Sequence, residues 1–182
     1  MSENVKPYEM IADYITGEQV PLVGAEENRQ MVEKLLVDEK GFSRQDIAVD
    51  VPIDFEVAGE TYRSSVDLVV SIAGRPLMVV KCAAGSLGSR EREAVSAARL
   101  VWGTPLPLAV VSDGRTAIVL ETATGRPVAE GLKAIPDRFA LKAGYADTTF
   151  EPLAGLRLEK ERLVFRSYDS MNVNTARRLP TC

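Results

Sequence analysis

The spacing of apolar positions changes character several times along the chain. From Ala25, AEENRQMVEKLLVDEKGF sets Met31, Val32, Leu35 and Leu36 at helical spacing behind an acidic first turn, and Gly41 ends the run. The preceding YEMIADYITGEQVPLVG reads as a short helix or extended arm that ends at Gly17 and docks apolar side chains on the body. A β-rich block follows. IAVDVPIDFEV, TYRSSVDLVVSIA and PLMVVKCAA predict three strands joined by short turns at Ala58-Gly59-Glu60 and Gly74-Arg75. The third is apolar at every position from Leu77 to Val80, the pattern of a central strand covered on both faces.

SREREAVSAARLVW predicts the next helix, with Ala94, Ala97, Ala98 and Val101 on one face and Arg90, Glu91 and Arg92 toward water. PLPLAVVSDGRTAIVLETATGRPV then predicts two strands around Asp113-Gly114, a hairpin signal. Beyond Pro136, Arg138 to Lys142 reads as a short helix, and LEKERLVFRSYDSM as a longer one with Leu158, Leu163 and Phe165 turned inward. An α-β-β-β-α-β-β order, its helix crossing from a central strand to another core strand, predicts an α/β sandwich. We expect one domain over residues 1–171, its N-terminal arm included, and a loose tail over 172–182.

Composition narrows the chemistry. The chain has 182 residues, 46% of them apolar and 26% charged, near globular averages, and no run approaches the ~18 apolar residues of a membrane span. It reads as a soluble protein. Cys82 and Cys182 make no disulfide framework and fit a reducing cytoplasm, and the N-terminal stretch has no signal-peptide h-region. A net charge of -4 and a pI near 5.1 argue against a broadly basic surface for nucleic acid. Histidine is absent, which removes Ser-His-Asp and Cys-His catalysis and histidine metal sites together.

Two glycine-bearing stretches carry no site. Gly85-Ser86-Leu87-Gly88 lacks the lysine and threonine of a phosphate loop and reads as a connection, and Ser112-Asp113-Gly114 reads as hairpin geometry. Lys81 is the anomaly. A lysine within so apolar a run needs an anionic partner or a shifted pKa, and Asp67 on the neighbouring strand is the obvious candidate. Cys82, on the alternate face of the strand, is expected to pack as a small hydrophobe.

From about Tyr14 to about Met171 the chain resembles the N-terminal nuclease domain of type I restriction enzyme R subunits and its free-standing relatives, in the PD-(D/E)XK nuclease superfamily. GEQVPLVGAEENRQMVEKLL, SSVDLVVSIAGRPLMVVKCAA and PLAVVSDGRTAIVLETATGRPV carry the resemblance. It implies a restriction-endonuclease-like mixed central sheet flanked by helices. It also implies a two-carboxylate Mg²⁺ site, in which an aspartate on one strand and a glutamate on the next hold the ion and a lysine two residues later stabilises charge or activates water.

Asp67 matches the family aspartate, and Glu26 or Glu27 its helical glutamate, the choice between the two being open. Lys81 stands where the second carboxylate belongs, and Ala83 where the lysine belongs. Glu93 and Ala97 take the places of a glutamine and a tyrosine on the following helix. The expectation is a catalytically inactive nuclease fold, a binding or scaffold module with no cofactor, in which Lys81 pairs with Asp67 within about 4 Å. DNA or another protein is its expected partner, with no membrane. One alternative is an active Mg²⁺-dependent DNA or RNA endonuclease, with Asp67 on the metal, Glu93 replacing the lost carboxylate and Lys81 approaching the phosphate. The other is a protein-interaction domain without nucleic acid, which the acidic pI favours.

Overall fold

The computed structural model of the chain describes residues 8–171. Its elements run β1 (Met10–Ala12), β2 (Gln19–Pro21), α1 (Glu26–Lys34), β3 (Ile47–Val57), β4 (Glu60–Ile72), β5 (Arg75–Cys82), α2 (Glu91–Leu100), β6 (Leu108–Ser112), β7 (Ala117–Glu121), β8 (Arg126–Glu130), α3 (Arg138–Tyr145) and α4 (Gly155–Asp169). Strands β3 to β8 form one six-stranded mixed sheet in chain order, flanked by the four helices. Every neighbouring pair is antiparallel except β5 and β6, which α2 joins as a crossover. This is the mixed sheet expected of a restriction-endonuclease-like fold.

The long β3–β4–β5 meander is joined by two-residue turns. Ala58-Gly59 (φ 52° and 79°) and Ala73-Gly74 (φ 50° and 77°) both have positive φ at each central residue, the twist that antiparallel strands favour. Both faces of the sheet are covered. Even-numbered β5 residues Met78, Val80 and Cys82 pack with Val32 of α1, Leu36 just beyond it and Leu141 of α3. Odd-numbered Val79 and Ala83 pack with Ala94 and Ala98 of α2 and Phe165 of α4. Period two therefore puts Lys81 on the α2 side and Cys82 in the α1-side core, where Cys82 is buried as expected.

Four expectations change. The N-terminal arm is a β-hairpin, β1 with β2, turning through Gly17, because Asp13 Oδ1 takes the Ile15 and Thr16 amides and fixes a turn where a helix would need to begin. A third strand, β8, follows the predicted pair as the sheet edge. Its five residues are all exposed and include a proline, so no apolar pattern announces it. Arg90 turns inward to Glu93. In α4 Phe165 is buried and Leu158 partly so, but Leu163 is exposed, because the helix directs Glu161, Phe165 and Asp169 inward. After α1, a π-helical turn over Leu35–Glu39 extends the first helix toward Gly41. The predicted tail, 172–182, lies outside the described residues, as do the first seven residues of the predicted domain.

Candidate functional site

The site is built where β4, β5 and α2 meet. Antiparallel pairing aligns Leu68 with Val80, which carries Asp67 opposite Lys81, and α2 lies over the same face. The Lys81 ammonium sits 3.3 Å from Asp67 Oδ2 and 3.1 Å from Glu93 Oε1. The ion pair expected between Asp67 and Lys81 is therefore present. Lys81 is 8% exposed and Glu93 1%. Asp67 Oδ2 also accepts the Cys82 amide at 2.7 Å, so the carboxylate is fixed by backbone as well as by charge.

Around these lie Arg90, just before α2, Tyr62 of β4 and the end of α4. Arg90 Nη1 lies 3.3 Å from Glu93 Oε2 and donates to the Tyr168 carbonyl at 3.4 Å. Tyr62 donates from its hydroxyl to Asp169 Oδ2 at 2.6 Å. Burial acts to lower the Lys81 pKa, but the carboxylates of Asp67, Glu93 and Asp169 outweigh it and raise it above the ordinary lysine value. Lys81 is thus held as a cation. The neighbouring Cys82 thiol is pushed far up, chiefly by burial, which leaves it inert.

A second ionic cluster lies beside the α1 face. Arg29, 2% exposed, binds Asp13 at 2.7 Å, Glu26 at 2.8 Å, Asp50 at 3.2 Å and Glu33 at 3.4 Å. Gln30 adds bonds to Asp13 and Glu26 and accepts the Tyr14 amide, tying the β1–β2 hairpin to α1. Asp50 interrupts β3 with φ 50° and stands between the clusters: burial raises its pKa, Arg29 lowers it and Asp67 raises it again. Glu33 is fully buried, with Arg29 Nε 3.4 Å from its Oε1. Its pKa is raised from 4.5 to about 7, first by burial, with Arg29 opposing and Asp13 adding to the rise.

Of the residues singled out in the sequence, the structure brings Asp67, Lys81 and Glu93 together. It groups Glu26 with Arg29 and Gln30, and leaves Glu27 exposed on the surface. Asp67 and Glu93 both reach one point, and the Lys81 ammonium occupies that point. Sequence reasoning missed Arg29, Arg90 and Asp169. For Arg29 a signal exists in the Glu26-Arg29-Glu33 spacing, i to i+3 and i to i+4 along one helix face. Asp169 leaves none, since it comes from the far end of the chain.

A family model described as type I restriction enzyme R protein N terminus matches residues 24–136, a stretch that runs from just before α1 to just beyond β8. Comparison with curated proteins finds no match, and comparison with solved structures finds none.

Proposed function

The chain belongs to the type I restriction enzyme R protein N-terminus family, and we propose that it is a PD-(D/E)XK-type nuclease fold that has exchanged its metal for a lysine and works as a binding or scaffold module without cleaving. One observation carries this reading: Lys81 Nζ lies 3.3 Å from Asp67 and 3.1 Å from Glu93, at the point where a bridging cation would sit. A Mg²⁺ does not fit this donor set. The ion wants about six oxygen donors in near-ideal octahedral geometry at about 2.1 Å. Here one oxygen from each of two carboxylates is engaged by an ammonium, and Asp67 Oδ2 is bound to the Cys82 amide as well. No cofactor is expected.

The fixed positive charge of Lys81 neutralises the carboxylates as a metal would, but it offers no open coordination position and no bound water of lowered pKa. DNA or another protein is the expected partner, and a cytoplasmic setting fits the free buried thiol of Cys82. No helix among the described residues is long and apolar enough to cross a membrane. The active-endonuclease reading draws on the convergence of Asp67 and Glu93 and requires Lys81 to leave that position.

Calorimetric titration with Mg²⁺ and Mn²⁺, run beside plasmid and single-strand cleavage, separates the readings. Wild type and Asp67→Ala are both expected to bind no metal and cut nothing. Metal binding and cleavage in the wild type, lost together in Asp67→Ala, would overturn the proposal. Lys81→Glu with Ala83→Lys is expected to regain metal binding by calorimetry, since it returns a carboxylate to β5 beside Asp67 and Glu93.

A further inference from the structure

The C-terminal helix lies outside the stretch that the family model matches, yet it reaches the Lys81 cluster. One stripe of α4 makes the contact, at positions 161, 165 and 169 with 168 beside them, the four-residue spacing of a helix face. At its near end Glu161 accepts from Ser96 Oγ at 2.8 Å and from Arg99 at 2.6 Å. In the middle Phe165 sits edge-on to Phe55 and Tyr62, ring centroids 6.0 Å and 6.4 Å away. At the far end Asp169 receives the Tyr62 hydroxyl and the Tyr168 carbonyl receives Arg90.

This docking is mostly polar. Phe165 is the only fully buried apolar side chain that α4 contributes, while Leu156 and Leu163 are 90% and 49% exposed. Arg162 and Arg166 add cation–π contacts to Phe55 and Tyr62, and Arg166 pairs with Glu60. An element held by one fully buried aromatic anchor and by polar and ionic contacts, not by a broad apolar face, belongs to the part of a structure that opens locally below the global unfolding free energy. Beneath it lie α2 and the edge strand β3, while β5, which carries Lys81, is central and apolar on both faces. Opening of α4 therefore does not require opening of the sheet.

We propose that α4 is a hinged cover: its last turn, through Asp169 and Tyr168, closes over the pocket that holds Lys81, leaving 10% of the Lys81 side chain and 14% of that of Asp67 exposed, and the pocket opens fully only when that turn lifts away. This accounts for the burial of Lys81 and Glu93, whereas Asp50, which pairs with Arg29, keeps 44% of its side chain exposed. It also means that a partner recognising the ionic cluster must displace α4. The proposal concerns access to the pocket and stands whether or not the pocket cleaves anything.

Two measurements on the full chain test it together. Native-state hydrogen exchange is expected to show residues 155–169 exchanging through an opening that leaves β4 and β5 protected. Reductive methylation read by mass spectrometry is expected to reach Lys81 through the same opening, with exposed Lys133 as the internal reference. Tyr62→Phe keeps the ring against Phe165 and removes the hydrogen bond to Asp169. It should raise both α4 exchange and Lys81 methylation by about tenfold, what one hydrogen bond to a charged acceptor is worth, with Lys133 unchanged. Faster α4 exchange without faster Lys81 methylation would show that the helix does not cover the pocket. Exchange of α4 only together with the sheet, already visible in the wild type, would show that no separate opening exists. Either result overturns the proposal.

Discussion

A lysine buried in a central strand is stable only where carboxylates reach it, and Lys81 has two within hydrogen-bond range. Each contact is worth about 5 kcal/mol of Coulomb attraction at an effective dielectric near 20. Desolvation costs several kcal/mol per ion, so the cluster's net contribution to stability is small. Its removal is not. Lys81→Met leaves Asp67 and Glu93 facing each other with Asp169 nearby, and is expected to cost about 3–5 kcal/mol in urea denaturation. Adding Asp67→Asn and Glu93→Gln should recover part of that loss, because the repulsion goes with the charges. A single-variant loss below ~1 kcal/mol would mean that solvent or neighbouring cations already relieve the cluster. The Asp67–Lys81 pair was legible in the sequence because strand period and register suffice to bring facing residues together. The Arg29 cluster was not: Glu26 and Glu33 at i−3 and i+4 look the same on a solvated helix as on a buried one. What buries them is the hairpin from Tyr14's side, a contact that no local pattern announces.

Among elements, those with a strong apolar period were readable and those defined by a turn or an edge were not. β5 and α2 bury most of their residues and β4 does so from Val66 onward, so burial is written into their composition. The β1–β2 hairpin and β8 are three to five residues long and mostly exposed, and backbone pairing alone defines them. The turn between β6 and β7 shows how a legible signal hides a second requirement. Asp113-Gly114 reads as hairpin chemistry, and Asp113 Oδ1 does take the Arg115 and Thr116 amides at 2.8 Å each. Gly114 has φ 81°, and a Cβ there would stand 2.7 Å from Met31 Cβ and 3.2 Å from the Asn28 carbonyl. The turn is thus pressed against α1, whose backbone cannot yield as a side-chain tip would. Gly114→Ala is expected to destabilise by about 2–3 kcal/mol, combining left-handed strain with overpacking. Gly59→Ala, with similar φ and open space around it, isolates the strain part and should cost less. Equal losses in thermal denaturation would remove α1 contact as the cause.

At the scale of the molecule, the ionisable groups pull stability in opposite directions along the pH axis. Asp13, Asp46 and Asp113 sit below their ordinary 3.8: burial acts upward on each, and backbone hydrogen bonds, with arginines beside Asp13 and Asp46, outweigh it. Their stabilisation is present above that value and lost as pH falls through their folded pKa values. Glu33 runs the other way. Its folded pKa of about 7 exceeds the 4.5 of the unfolded chain, so the unfolded state releases this proton first. Stability therefore declines as pH rises between those two values, by about 3 kcal/mol for such a shift. Asp50, also raised by burial, adds to the decline. Lys81, raised above 10.5, acts only in the alkaline range, where its stabilisation is lost as pH climbs past its folded pKa. The sum places the maximum on the acid side of neutrality, near the pH at which Glu33 of the unfolded chain begins to ionise. Urea midpoints from pH 3 to 10 should trace that asymmetric peak, and Glu33→Gln should flatten its neutral flank while leaving the acid limb in place. A wild-type maximum at pH 8, or a flank unchanged by the substitution, would mean that Arg29 keeps Glu33 ionised and that the hub around Arg29 carries its full negative charge at neutrality.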